Sequence, residues 1–143
     1  MPLNDPRFGI HFVEHIGARI EESGHGSAVI VLELKPHLRN RLGVAHGGVV
    51  MTMLDVAMAR AARSTARHEG DEDHGVVTIE MKSTFVQAAT GDRLVARGHT
   101  VHRGASLCFA EAEVHDESGR LIARSSGTFK YVKPKAIPHR PPK

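Results

Sequence analysis

The chain has 143 residues, 41% of them hydrophobic and 24% charged, with a formal net charge of +3; that length fits a single domain with one core. No apolar run approaches the ~20 residues that cross a bilayer, and a lone cysteine, Cys108, excludes an internal disulfide framework and fits a reducing compartment. Residues 1–6 lack the basic and apolar stretches of a secretory leader, so a cytoplasmic protein is expected; much of the positive excess sits in 130–143, and the chain carries no basic stripe interleaved with aromatics, which argues against nucleic-acid binding.

In chain order, residues 6–13 read as a short helix or irregular arm. Residues 16–22 and 27–34 flank Ser23-Gly24-His25-Gly26, and Ala28, Ile30, Leu32 and Leu34 alternate on one face, which predicts two strands and a hairpin. Residues 35–45 carry Pro36, Asn40 and Gly43 without a sustained period and read as a loop. Residues 46–67 contain no proline and place Met, Leu and Ala at helical spacing, so they form the one long helix. Its apolar stripe is His46, Val50, Met53, Leu54, Ala57 and Ala61. The opposite side holds Gly48, Thr52, Asp55, Ala59 and Ala62, where Asp55 is the only charge. A helix without a solvated face over its first four turns is expected to be buried on both sides, and a lone acid there demands a reason.

After a polar link at 68–75 the period changes to two. Val77, Ile79, Met81, Ser83 and Phe85 alternate with Thr78, Glu80, Lys82 and Thr84, which predicts a strand with one packed and one polar face. Turns at Gly91-Asp92, at Arg103-Gly104 and at 116–119 divide the remainder into strands over 93–102, 105–115 and 120–132. Prolines 134, 138, 141 and 142 make 133–143 a basic, mobile tail beyond one domain at 1–132. The expected architecture is α+β: two strands, the helix, then four strands in antiparallel meander order, wrapped around the helix.

Chemistry concentrates in Asn40-Arg41-Leu42-Gly43-Val44-Ala45-His46-Gly47-Gly48, followed by Asp55. Two glycines at a helix start let another group approach backbone N–H donors that have no partner inside the helix, a site suited to a carbonyl or oxyanion. Asp55 lies nine residues beyond His46, roughly 13 Å along a straight helix and about 180° around it. One chain therefore does not bring both to one carbon, and the spacing predicts at least a dimer with two equivalent interfacial sites.

The order Asn-x-x-Gly-x-x-His-Gly-Gly followed by Asp resembles the hotdog-fold acyl-CoA thioesterases of the phenylacetate-pathway type, within the 4-hydroxybenzoyl-CoA thioesterase superfamily. The likeness runs from the first hairpin to Tyr131. It implies an antiparallel sheet wrapped around one central helix and Asp55 as the carboxylate that activates water or attacks the thioester. It also implies that Gly47 binds the thioester oxygen through its N–H, that His46 and Asn40 line that end of the site, and that Thr78 helps to place the water. Arg103 and Gly104 match a turn that lies near the nucleotide of coenzyme A. The resemblance implies no metal and no cofactor, coenzyme A being part of the substrate, with homodimers paired into a homotetramer.

Plainer readings stand beside these. Asp55 alone could be a buried acid satisfied by backbone donors or an arginine, and Gly47-Gly48 could serve only close helix packing. Met51, Leu54, Met58 and Phe85 are candidates for an acyl pocket whose default role is core packing. His11 and His15 are four apart without a third ligand, and His99 and His102, three apart on a strand, should face opposite ways, so no metal is expected. The expected function is hydrolysis of an aryl- or medium-chain acyl-CoA. Its rivals are a non-catalytic acyl-CoA sensor and a dehydratase of the same fold.

Overall fold

The computed structural model describes residues 11–65 and 74–133. A short helix, α1 (His11–His15), leads into strands β1 (Arg19–Gly24) and β2 (Ser27–Glu33). Their two-residue connection places His25 at φ 51° and Gly26 at φ 79°, the left-handed pair that matches the twist of a tight hairpin. The loop that follows holds a 3-10 turn at Pro36–Leu38 and a single bridge between Arg39 and Ala45. Helix α2 spans Gly47–Arg63, and strands β3 (Gly75–Phe85), β4 (Arg93–Arg103), β5 (Leu107–Asp116) and β6 (Leu121–Val132) complete the fold. Most of the 6–13 arm, the link at 66–73 and the tail from 134 lie outside the described residues.

The six strands form one antiparallel sheet in the order β1-β2-β4-β5-β6-β3. This corrects the expected meander: β3 does not pair with β4 but crosses to the far edge beside β6, leaving β4 to join β2. The alternation within each strand is indifferent to which neighbour it finds, so local pattern carries no information on this exchange.

The sheet wraps one side of α2. Val50, Met53, Leu54, Ala57, Met58 and Ala61 are buried against Ile30, Leu32, Leu94, Ile122 and Phe129. Small residues at the middle of β4 and β5, among them Ala96, Gly98, Ala110 and Ala112, let the helix come close. A Cβ built on Gly98 would lie 2.4 Å from the carbonyl oxygen of Ala57, so the helix backbone rests directly on this glycine. Cys108 is fully buried in this core, the packing role expected of it.

Two expectations about burial change. The face of α2 carrying Gly48, Thr52, Asp55 and Ala59 is only half-buried or exposed, because one sheet covers one side of the helix. On β3, Val77 and Ile79 are exposed rather than packed, since β3 is an edge strand and a bulge between Thr78 and Glu80 shifts its register. Before the bulge Val76 and Thr78 oppose Tyr131 and Phe129, and after it Met81, Ser83 and Phe85 oppose Gly127, Ser125 and Ala123. The inserted residue thus puts Thr78 on the same face as Met81, where strict alternation separates them.

Candidate active site

The start of α2 is built from its own loop. Asn40 Oδ1 accepts from the N–H groups of Leu42 (2.9 Å) and Val44 (3.3 Å), bracing the turn that delivers His46. His46 is the N-cap, with φ −61° and ψ 135°, and its Nδ1 accepts from Gly48 N–H at 2.9 Å. An accepting Nδ1 carries no proton, so the neutral ring keeps its proton on Nε2. Val49 and Val50 N–H both donate to His46 O. Among the described residues Gly47 N–H has no acceptor, which leaves it the one open donor at the positive end of the helix. The ring of Phe85 flanks it, 3.8 Å from where a Gly47 Cβ would stand.

Further along α2, Thr78 Oγ1 donates to Asp55 Oδ1 at 2.6 Å, a charge-assisted bond made possible by the β3 bulge. Thr52, one turn earlier, donates to Gly48 O at 2.9 Å. Asp55, Thr52 and Thr78 open into a cavity of about 340 Å³ whose walls include Val56, Arg60 and Arg63. Burial lowers the proton affinity of both guanidiniums, and the charge of Arg63 adds to the effect on Arg60. Neither is without a partner.

Arg103 sits at the other end of α2. Its guanidinium donates to the carbonyl oxygen of Thr65 and lies 4.2 Å over the ring of Tyr131. Tyr131 Oη in turn donates to Ala62 O at 2.7 Å, and burial above all pushes its phenol up to about 12. Gly104 N–H closes the following turn on Leu107 O. Arg103 thus closes the helix C-terminus, and a nucleotide there would share a guanidinium already engaged.

The structure therefore brings Asp55 and Thr78 together and groups Asn40, His46 and Gly47, but holds the two groups apart on one helix, with Arg103 and Gly104 at a third place. Of the acyl-pocket candidates, Leu54 and Met58 are core and Phe85 is half-exposed beside Gly47. Sequence reasoning misses Arg60 and Arg63, because arginines in the last turn of a helix are its ordinary complement. The spacing of Asp55, Ala59 and Arg63 at i, i+4 and i+8 was the available signal. A bulge between Thr100 and His102 also puts His99 and His102 on the same face rather than opposite ones. Among the described residues no three His, Cys, Asp or Glu side chains converge, and no helix is long and apolar enough to cross a membrane.

The family profile described as the thioesterase superfamily matches residues 42–123. Acyl-coenzyme A thioesterase 13 of Mus musculus is 30% identical over 91 residues, covering 62% of this chain and 61% of that one. A conserved protein of Pseudomonas aeruginosa superposes with a TM-score of 0.79 at 31% identity, over 87% of this chain and 95% of its own. The E. coli PaaI protein of the phenylacetic acid degradation operon shares the fold, with a TM-score of 0.77 at 18% identity over 87% and 86% of the two chains.

Proposed function

Because the chain belongs to the thioesterase superfamily and is a thioester hydrolase, we propose that it hydrolyses an aryl- or medium-chain acyl-coenzyme A to a carboxylic acid and free coenzyme A. The observation that carries this reading is the Gly47 N–H, left without an acceptor among the described residues at the start of the helix that His46 caps, a donor suited to a thioester oxygen. Asp55 is the catalytic carboxylate. It takes a proton from water as the water oxygen attacks the thioester carbon. The charge that develops on the carbonyl oxygen rests on Gly47 N–H, and when the intermediate collapses the C–S bond breaks and the departing sulfur takes the proton held by Asp55, so that coenzyme A leaves as the thiol. Thr78 keeps one lobe of the carboxylate fixed through its 2.6 Å bond, leaving the other for water, while Asn40 braces the loop below Gly47.

Gly47 starts α2 and Asp55 stands at its middle, about 12 Å along the axis, so the proposed site pairs Gly47 of one protomer with the Asp55 carboxylate of a second copy. The half-open face of α2, with its small residues Gly48 and Ala59, supports a homodimer of this kind. The exposed apolar residues of edge strand β3 support it as well, and a homotetramer of two such dimers is the expected assembly. The fold at 1–132 is proposed as one catalytic domain acting in the cytoplasm without metal or added cofactor.

The test is thiol release from a panel of aryl-, short-, medium- and long-chain acyl-CoAs, with wild type and Asp55→Asn side by side and the assembly checked by light scattering. General-base assistance is typically worth ~10² to 10⁴ in rate. A loss of that order with assembly intact supports the reading, whereas near-normal turnover in Asp55→Asn removes this carboxylate from the mechanism.

A further inference from the structure

We propose that Arg39 is the positioning residue of the Gly47 amide: its guanidinium bridges the loop at 39–45 to the sheet and so fixes where α2 presents that donor. The inference rests on the thioesterase reading in that Gly47 N–H is taken as the group that meets the thioester oxygen.

The loop is a compact body of its own. Its ends pair at Arg39 and Ala45, Asn40 N–H donates to Val44 O at 2.8 Å, and Gly43 N–H returns to Asn40 O at 3.0 Å. Gly43 takes the φ of 75° that this reversal needs. Asn40 Oδ1 adds its two bonds from within. None of these contacts reaches the sheet. Near the loop's exit two backbone bonds lead outward, Ala45 N–H to Ala89 O at 3.0 Å and His46 N–H to Leu38 O at 2.9 Å. Among the described residues the remaining hydrogen bonds that leave the loop come from one side chain, Arg39.

Its Nη1 donates to Gly43 O at 3.0 Å, inside the loop. Its Nη2 lies within hydrogen-bond distance of Leu34 O (3.0 Å), where β2 has just ended, of Gly91 O (2.9 Å), in the connection from β3 to β4, and of Asp92 Oδ1 (3.1 Å). A planar guanidinium holds its donors in a fixed fork, so one nitrogen on the loop and the other on two carbonyls of the sheet set the loop's orientation as well as its distance. The Asp92 carboxylate is 94% exposed and adds little, which leaves the carbonyl bridge as the working contact. The footing under the bridge is itself tied down. Val86 N–H donates to Ile122 O, Gln87 Nε2 to Leu121 O and Arg120 Nη2 to Ala88 O, while the Glu117 carboxylate accepts from Asp92 and Arg93 N–H.

Gly47 follows the loop by two residues, and no partner among the described residues holds its N–H. The place of this donor is therefore inherited from the loop and the His46 cap. Precision matters there, since a misplacement of ~1 Å at a reacting centre costs ~10² in rate.

The experiment is a double-mutant cycle in steady-state thiol release from one acyl-CoA, using wild type, Arg39→Met, Gly47→Pro and the double variant, with Tm followed alongside. Arg39→Met should lower kcat by about tenfold, a partial misplacement. KM should stay within about twofold, the signature of an interaction used only in the transition state. With Gly47→Pro already present no amide is left to place, so adding Arg39→Met should lower kcat no further. Equal losses in both backgrounds make Arg39 a general support of the fold and overturn the proposal, as does near-normal kcat in a folded Arg39→Met. Arg39→Lys keeps the charge without the fork and should fall with Arg39→Met; full activity in it also overturns the proposal. If no variant at position 39 folds, the residue is structural only and the proposal falls. Should wild type turn over no thioester, or Gly47→Pro keep normal kcat, the hydrolase reading or the amide's part in it fails by itself. Arg39 is then judged by 15N relaxation of the Gly47 amide. An order parameter near ~0.85 in wild type that drops in Arg39→Met sustains the bridge, and equal order in the two proteins refutes it.

Discussion

Replacing Gly47 by proline removes one backbone donor from α2 and little else. Gly47 is the first helical residue after the His46 cap, the position that tolerates proline best, because its N–H has no place in the helix ladder. The residue before a proline must be extended, and His46 already is, at φ −61° and ψ 135°. A Cβ at position 47 meets nothing closer than the Phe85 ring at 3.8 Å, an ordinary contact. The fold should therefore be as stable as wild type, or more stable by about 0.4 to 1 kcal/mol through a less flexible unfolded chain. Activity should behave differently. If Gly47 N–H is the donor that meets the developing oxyanion, its loss costs ~3 to 4 kcal/mol of transition-state stabilisation, or ~10² to 10³ in kcat. Gly47→Ala keeps the N–H and should stay within a few-fold of wild type. The assay is steady-state thiol release by the three proteins, with Tm from circular dichroism. Near-normal kcat in a folded Gly47→Pro enzyme would refute the role of this amide, and an equal loss in Gly47→Ala would show that crowding by Phe85, not hydrogen bonding, governs the position.

Three further outcomes follow from other contacts. Thr78→Val deletes the hydroxyl on Asp55 at constant shape; because the pair is partly solvated, kcat should fall by about tenfold, the lower end for a charged hydrogen bond, and Thr78→Ser should restore most of it. Steady-state kinetics of the two variants decide this, and equal kcat in wild type and Thr78→Val would remove Thr78 from the site. Gly98→Ala drives a methyl group to 2.4 Å from Ala57 O, a backbone atom that yields only if α2 shifts, so chemical denaturation should register a loss of about 1 to 3 kcal/mol or more. The Asp116 carboxylate is held at about 2, below its ordinary 3.8, chiefly by the Ser118 hydroxyl, with further bonds from Arg120 and from backbone N–H groups. A carboxyl depressed in the folded state adds stability above its ordinary value and loses it as pH falls through about 2. Asp116→Asn should therefore lower Tm at neutral pH, with the gap to wild type closing between pH 3.8 and about 2; a gap that stays constant with pH would contradict the assignment.

The sequence determined the parts of this protein that local rules govern. Helical spacing placed α2, starting at the His46 cap, and ended it only four residues too late. The positive-φ turn residues fixed the first hairpin, and period-two alternation found the remaining strands to within two residues at their ends. The same rules marked the Gly47 amide and the solitary acid at Asp55, because a helix start and a lone charge on an apolar segment are legible one residue at a time. Tertiary structure decided what depends on partners far away in the chain. Pairing energy between β3 and β6 carried β3 to the sheet edge, and alternation, being the same for any neighbour, could not announce it. A one-residue bulge, invisible in composition, reversed the facing of β3 and so delivered Thr78 to Asp55. The cavity that unites Asp55 with Arg60 and Arg63 exists only because β3 and α1 close over one flank of the helix, a juxtaposition set by packing across the whole fold rather than by any segment of it.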